Sequence, residues 1–380
     1  MNQSIDRRQF FAWSATTLGA ATQPARAAAE APVALVRCTT WDLAEHTRAM
    51  AEAVDLAGGV GRAVRGKTVA VKINLTGNPS QKFAGLPASQ TYQTHPASAI
   101  ALATLLDRAG ARTVRFLDCS YRPGTIEESI AAGGWDLSRF QSLKARVEFE
   151  DTRNLGSGKK YHLVKVPWGG SLYPAYFVNH SYVECDYYIS LAKMKNHVTA
   201  GVTLSVKNNF GVTPTSLYGQ EKEDENSRNA RVAMFHEGRI RPAAGVPGEL
   251  DPNGPRRTTF RVPRHTVDSL GIRPINLAII EGVETTSGGE GPWCPDLKPL
   301  KPGLLVASRN AVCADSLTTW LMGYNPMAAP ATECFPGDNH LMMAQELGLG
   351  VCDPTRIEVR GLSKTQARYP FNWAPRARNT

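Results

Sequence analysis

The seven cysteines, Cys38, Cys119, Cys185, Cys294, Cys313, Cys334 and Cys352, contain no CxxC pair. That argues against an iron–sulfur cluster or a structural zinc site. The chain also lacks a GxSxG elbow, an HExxH pair, a GK[ST] phosphate-loop ending and GxGxxG spacing. The usual signatures of serine hydrolases, zincins and nucleotide folds are therefore absent. No Lys/Arg run interleaved with aromatics suggests nucleic acid. Beyond the first two dozen residues, no apolar run approaches the length of a membrane span. An odd cysteine count leaves at least one free thiol. If the compartment is oxidising, Cys294 and Cys334, both in Pro/Gly-rich loops, form the first disulfide to test, and Cys313 reads as a buried thiol.

What is present begins with a targeting pattern. Asp6-Arg7-Arg8-Gln9-Phe10-Phe11 is a twin-arginine motif, followed by an apolar stretch to Ala21 and a small-x-small site at Ala25-Arg26-Ala27. Residues 1–27 are expected to be a signal peptide that engages the twin-arginine translocase, giving a periplasmic or secreted protein. Their removal leaves 40 basic and 33 acidic residues, so the net charge falls from +9 to +7. That balance is mildly basic.

The remaining chain alternates strand and helix patterns, which predicts an α/β fold: mostly parallel sheet flanked by helices, in one unit or in two lobes with a crevice between them. Strands are expected at 33–37, 68–74, 112–117, 187–192, 275–280, 303–308 and 356–360. Helices are expected at 43–56, from Thr94 as N-cap to Gly110, at 263–270, 310–322 and 339–347. Residues 146–179 read as strand-rich with a turn at 154–160. Residues 219–254 read as a polar insertion and candidate lid, with His236 more consistent with a surface residue. Residues 28–361 would form the α/β domain and 362–380 an irregular tail.

The densest chemistry lies between Tyr187 and Pro214. A buried strand ends in Lys193, Lys195, Asn196 and His197, and Lys207-Asn208-Asn209-Phe210-Gly211 follows closely. Strand C-termini are where open α/β sheets place their ligands. Clustered ammonium groups beside amide donors suit phosphate, carboxylate or an enolate-like oxyanion. The strand ends at Lys72/Asn74 and Asp118 would share the same edge. A pattern of VKxN plus an apolar residue occurs twice, at Val71–Leu75 and Val206–Phe210.

The segments Ala192–His197 and Thr203–Gly211 resemble the PKxKxH and TLxxKNxFG signatures of the domain-of-unknown-function family numbered 362. Gly288-Gly289-Glu290-Gly291-Pro292 and Val312-Cys313-Ala314-Asp315-Ser316 are similar to two further blocks of that family. The resemblance runs from about Val69 to Gly361. Ala192 stands where relatives tend to carry Pro, and Glu281 where Asp is usual. The cysteine-rich ferredoxin-like segment of some relatives is missing. The family implies no reaction.

Several roles follow as expectations. His197, Lys193 and Lys195 are the catalytic candidates, because crowded lysines have lowered pKa values suited to Schiff-base or proton-abstraction chemistry. Lys72, Asn74, Lys207, Asn208 and Asn209 are candidate ligand contacts. Gly289 and Gly291 join them, because successive glycines let backbone amides approach a phosphate. The cofactor is unknown. A divalent metal is one option, with Asp118, His197, Glu281, Glu290 and Asp315 as candidate ligands assembled from distant loops and His95 or His236 as other imidazoles. An exported enzyme acting on an anionic molecule or phosphorylated cofactor is the leading expectation. A periplasmic carrier is the alternative.

Overall fold

The computed structural model describes residues 30–153 and 161–375. The twin-arginine motif, its cleavage site and the 154–160 turn lie outside these residues. Eight strands form the main sheet: β1 (Val33–Arg37), β2 (Thr68–Lys72), β3 (Thr113–Asp118), β4 (Arg146–Asp151), β5 (Tyr187–Lys193), β6 (Leu277–Gly282), β7 (Leu304–Ser308) and β8 (Val359–Gly361). Their order across the sheet is β8-β1-β7-β6-β5-β2-β3-β4. Only β7 runs against its neighbours. The C-terminal ends of the other seven strands therefore face one edge.

The near-continuous apolar strands fit a sheet covered on both faces. One face buries Val69, Val71, Ile189, Leu191 and Ile279 under helices α1 (Leu43–Leu56) and α2 (Pro96–Arg108). The other buries Ala70, Ala192, Ile280 and Val306 under α3 (Leu204–Asn208), α4 (Thr258–Ile272) and α5 (Ala311–Leu321). Each fully buried Val, Leu or Ile contributes about 1.5–3 kcal/mol, so the two layers hold the strand ends in fixed positions. Among the described residues no helix is long and apolar enough to cross a membrane.

Four local expectations need correction. His95, rather than Thr94, caps α2: its Nδ1 accepts from the Ala97 amide at 3.1 Å. Helix α4 starts five residues before Pro263 and runs through it. Pro263 leaves the Thr259 carbonyl without its helical donor, and the Asp338 amide supplies one at 3.1 Å. The tail holds a short helix, Lys364–Ala367, closed by a Ser363/Gln366 capping box. Finally, all seven cysteines are free, so Cys294 and Cys334 are not bridged.

Candidate functional site

At the C-terminal edge of β2, β3 and β5 lies a half-open cavity of about 400 Å³, a size typical of small-molecule sites. Lys72, Asn74, Asp118, Lys195, His197, Lys207, Asn208 and Glu290 line it. Here the backbone leaves the sheet, so the last side chains of the strands are no longer buried between layers and can turn toward a ligand.

Lys72 ends β2 on the α3 side and pairs with Asp118 Oδ1 at 2.9 Å. Asp118 also accepts from the Leu75 amide at 2.7 Å and the Cys119 amide at 2.7 Å, tying two strand ends together. Gly211 is needed for this approach, since a Cβ there would sit 2.8 Å from Lys72 Cε. Lys195 donates to Asn74 Oδ1 at 2.9 Å, to the Glu290 carbonyl at 3.1 Å and to the Tyr92 carbonyl. Burial draws its pKa down to about 7. Three acceptors match the three N–H groups of an ammonium, which favours the charged form. Asn74 Nδ2 donates to Asn208 Oδ1 at 3.0 Å, and Asn208 Nδ2 donates to Ser190 Oγ at 3.0 Å.

Lys207 differs from the other lysines. Its Nζ lies 3.7 Å from the centroid of the Phe210 ring, and no hydrogen bond from it is found among the described residues. Burial first, then Arg231 and Lys72, draw its pKa down to about 7, against the opposing pull of Glu290.

The 219–254 insertion forms one wall of the cavity. Its Phe235 is buried and stacks on His265 at 3.8 Å between ring centroids, and the Met234 carbonyl accepts from Arg261 at 2.9 Å. This packing turns Arg231 and His236 toward the cavity. Arg231, in left-handed backbone (φ 61°), donates to the Thr213 carbonyl at 3.1 Å and to Tyr121 Oη at 3.3 Å. Its buried Nε has no partner among the described residues. Sequence reasoning missed Arg231. The one signal available was the apolar Val232–Phe235 run inside an otherwise polar stretch.

His197 Nδ1 faces the backbone of its own turn, 3.2 Å from the Thr199 amide and 3.0 Å from Thr199 Oγ1. Burial, then Lys207, Lys195 and His340, hold its pKa well below the usual imidazole range. His236 is lowered in the same way by burial, Lys207 and His197. Glu290 accepts from the Val198 amide at 2.9 Å and from Trp293 Nε1 at 3.2 Å. Trp293 stands at the rim, 51% exposed. Four cationic side chains, Lys72, Lys195, Lys207 and Arg231, thus face two carboxylates, Asp118 and Glu290.

The other candidates lie elsewhere. Lys193 points to the α1/α2 face, where its ammonium meets Glu281 Oε1 at 3.1 Å and the Ser89 carbonyl at 2.8 Å. Glu281 also accepts from the His95 amide at 2.8 Å and from the Ser98 hydroxyl, and His95 stacks on Trp41. Asn209 closes the C-terminal end of α4, donating to the Ser269 carbonyl at 2.6 Å and the Arg273 carbonyl at 3.0 Å. Asp315 accepts from the Ser205 amide at 2.9 Å and the Val206 amide at 2.7 Å. It therefore caps α3 from across the fold and holds Leu204 at a φ of 40°.

Gly289 and Gly291 do not line the cavity; they let their loop fold on itself. Added Cβ atoms would meet Cys294 Sγ at 2.4 Å and the Trp293 ring at 2.3 Å, respectively. The five metal-ligand candidates are thus distributed over three places. Among the described residues no three His, Cys, Asp or Glu side chains group as a metal site requires.

Solved structures with partial likeness include a Thermotoga maritima protein. It is 14% identical, with a TM-score of 0.34, and the match covers 68% of this chain and 53% of that one. Another is the lactate racemase apoprotein from Thermoanaerobacterium thermosaccharolyticum, 16% identical with a TM-score of 0.34, covering 72% and 55% of the two chains. This chain spans about half the length of each. No curated protein matches it. The family model for the Domain of unknown function (DUF362) matches residues 69–320, well over half of the sequence. The chain belongs to the DUF362 family.

Proposed function

We propose that the chain binds an anionic small molecule, or the phosphate of a phosphorylated cofactor, in the Lys72/Lys195/Lys207/Arg231 cavity and acts on it as an exported enzyme. The observation that carries this reading is Lys207. The other three cationic groups are held by protein acceptors, whereas the Lys207 ammonium lies over an aromatic face and opens on the cavity. An anion there would gain a charge-assisted contact that the protein leaves unmade. With its pKa drawn to about 7, Lys207 is also suited to take or give a proton at neutral pH.

Lys72, Asn74, Lys195 and Asn208 would position the anion without moving, since each is already fixed by a neighbour. That rigidity equally suits a carrier, which is the second reading. Titrating inorganic phosphate, sulfate and a 2-oxo acid into the wild-type protein and Lys207→Met tests both. Binding weakened at least about tenfold in Lys207→Met, with an unchanged unfolding midpoint, supports the site. Absence of binding by all three ligands rejects it. Solvent-deuterium exchange into a bound 2-oxo acid, lost in Lys207→Met, separates an enzyme from a carrier.

Export by the twin-arginine route belongs to the same proposal and rests on the order of Arg7-Arg8, the apolar stretch and Ala25-Arg26-Ala27. Replacing Arg7 and Arg8 with Lys should leave the precursor in the cytoplasm. Normal accumulation of the double variant outside it would reject export by this route.

A further inference from the structure

Within the anion reading just given, the turn after β5 determines what His197 can do. Backbone N–H groups only donate, so a ring nitrogen they address must carry its lone pair. The Thr199 amide at 3.2 Å and the Ala200 amide at 3.4 Å both point at His197 Nδ1, and Thr199 Oγ1 lies 3.0 Å from it. The hydroxyl can donate or accept and so favours neither tautomer, which leaves one carboxylate to compete. Glu290 Oε2 is 3.7 Å from Nδ1 and would favour a proton there. That distance exceeds a hydrogen bond, and the same oxygen already accepts from the Val198 amide at 2.9 Å. Two fixed amides at shorter range therefore outweigh one occupied carboxylate.

The neutral ring must then carry its proton on Nε2, the atom with no hydrogen-bond partner among the described residues, in a side chain that lines the cavity. The imidazolium would need a hydrogen on Nδ1 directed at two N–H groups. Lys195 and Lys207 add their own repulsion.

We infer that His197 is a specificity-determining hydrogen-bond donor, presenting a neutral Nε2–H to an oxyanion oxygen of the ligand. In this tautomer Nε2 has no lone pair for a metal ion and none with which to abstract a proton. The ligand is thereby restricted to a group that offers a bare acceptor oxygen beside Lys207, such as a phosphate, sulfate or carboxylate. An amine or a metal aquo ion would face a donor with a donor.

The test has two independent arms. Nitrogen-15 NMR of histidine-labelled protein, assigned by loss of one ring signal in His197→Gln, should show His197 protonated at Nε2 only. That state should persist between about pH 5 and pH 8, although Lys195 and Lys207, both drawn down to about 7, change charge in that range beside His236, His340 and Glu290. A proton on Nδ1, or an imidazolium within that range, would overturn the inference. In the second arm, phosphate and sulfate are titrated into the wild-type protein, His197→Gln and His197→Ala. A Gln amide nitrogen can reach the position of Nε2, so His197→Gln should bind within about threefold of wild type. His197→Ala should bind at least about tenfold more weakly, the loss expected for one hydrogen bond to a charged group. Equal failure of both variants with wild-type unfolding midpoints would reject the donor role. Failure of the wild-type protein to bind either anion would instead reject the anion reading and the donor role with it, while the NMR arm still decides the tautomer.

Discussion

Lys193 and Lys195 stand two residues apart, yet the molecule uses them in opposite ways. Lys193 is the last residue of β5 and still follows the sheet's alternation. It faces α1 and α2, where Glu281, its register partner on β6, meets its charge. Lys195 lies beyond the strand, where the chain has turned, and shares a cavity with Lys72, Lys207 and Arg231. The first cluster is closed, with Glu281 accepting from Lys193, the His95 amide and Ser98. The second leaves the Lys207 ammonium and Arg231 Nε without protein acceptors among the described residues. A buried charge whose partners are all supplied by the protein holds the fold. One whose partners are missing, as at Lys207, is where the proposed anion would bind.

The sharpest way to break this comparison is to remove each lysine in turn. Lys193→Met strands the Glu281 carboxylate in the interior and should lower unfolding free energy by about 3–5 kcal/mol in urea titrations. Adding Glu281→Leu should recover part of that loss, because the pair is then removed whole. Lys207→Met removes a charge with no protein acceptor and should leave stability unchanged or raise it, while anion binding falls. If Lys193→Met proves harmless, or Lys207→Met unfolds the protein, the division between a structural and a ligand-seeking cluster fails.

The same contrast shows how much was legible in the sequence. Strand runs such as Thr68–Lys72 and Tyr187–Lys193 carry their own apolar signal, and parallel strands share an edge at their C-termini. Lys72, Asn74, Asp118, Lys195 and Lys207 could therefore be grouped from position alone. Lys193 could not be separated from Lys195, because that requires knowing the residue at which the strand stops. The roles of Asp315 and Asn209 depend on contacts 110 and 60 residues away along the chain, and local pattern carries no trace of these. Gly289 and Gly291 show the limit of reading glycine as ligand approach, since the same freedom serves a loop that folds against its own cysteine and tryptophan. Arg231 was hidden because the insertion around it reads as polar surface until Met234 and Phe235 are seen to be buried. The repeated VKxN pattern contributes Lys72 and Lys207 to one cavity, but from a strand end in one case and a short helix in the other.

The smallest expected effect is the one with pH, and it sharpens the comparison by its sign. Lys207 is drawn from the ordinary lysine value to about 7 in the folded protein. Between about pH 7 and pH 10 the unfolded chain therefore binds more protons at this site than the folded chain does. Stability of the free protein should rise with pH across that window, by linkage. Anion affinity should move the other way, because the ammonium that meets the ligand is lost as pH passes 7. Sulfate is the probe of choice, since its own charge stays constant throughout. In the wild-type protein its affinity should fall severalfold between about pH 6 and pH 9 as stability climbs. In Lys207→Met both slopes should flatten, leaving whatever Lys195, also drawn to about 7, contributes. Lys193→Met should keep the full fall in affinity, because its ammonium faces the other side of the sheet. If that fall survives in Lys207→Met and vanishes in Lys193→Met, the two lysines have been assigned to the wrong clusters.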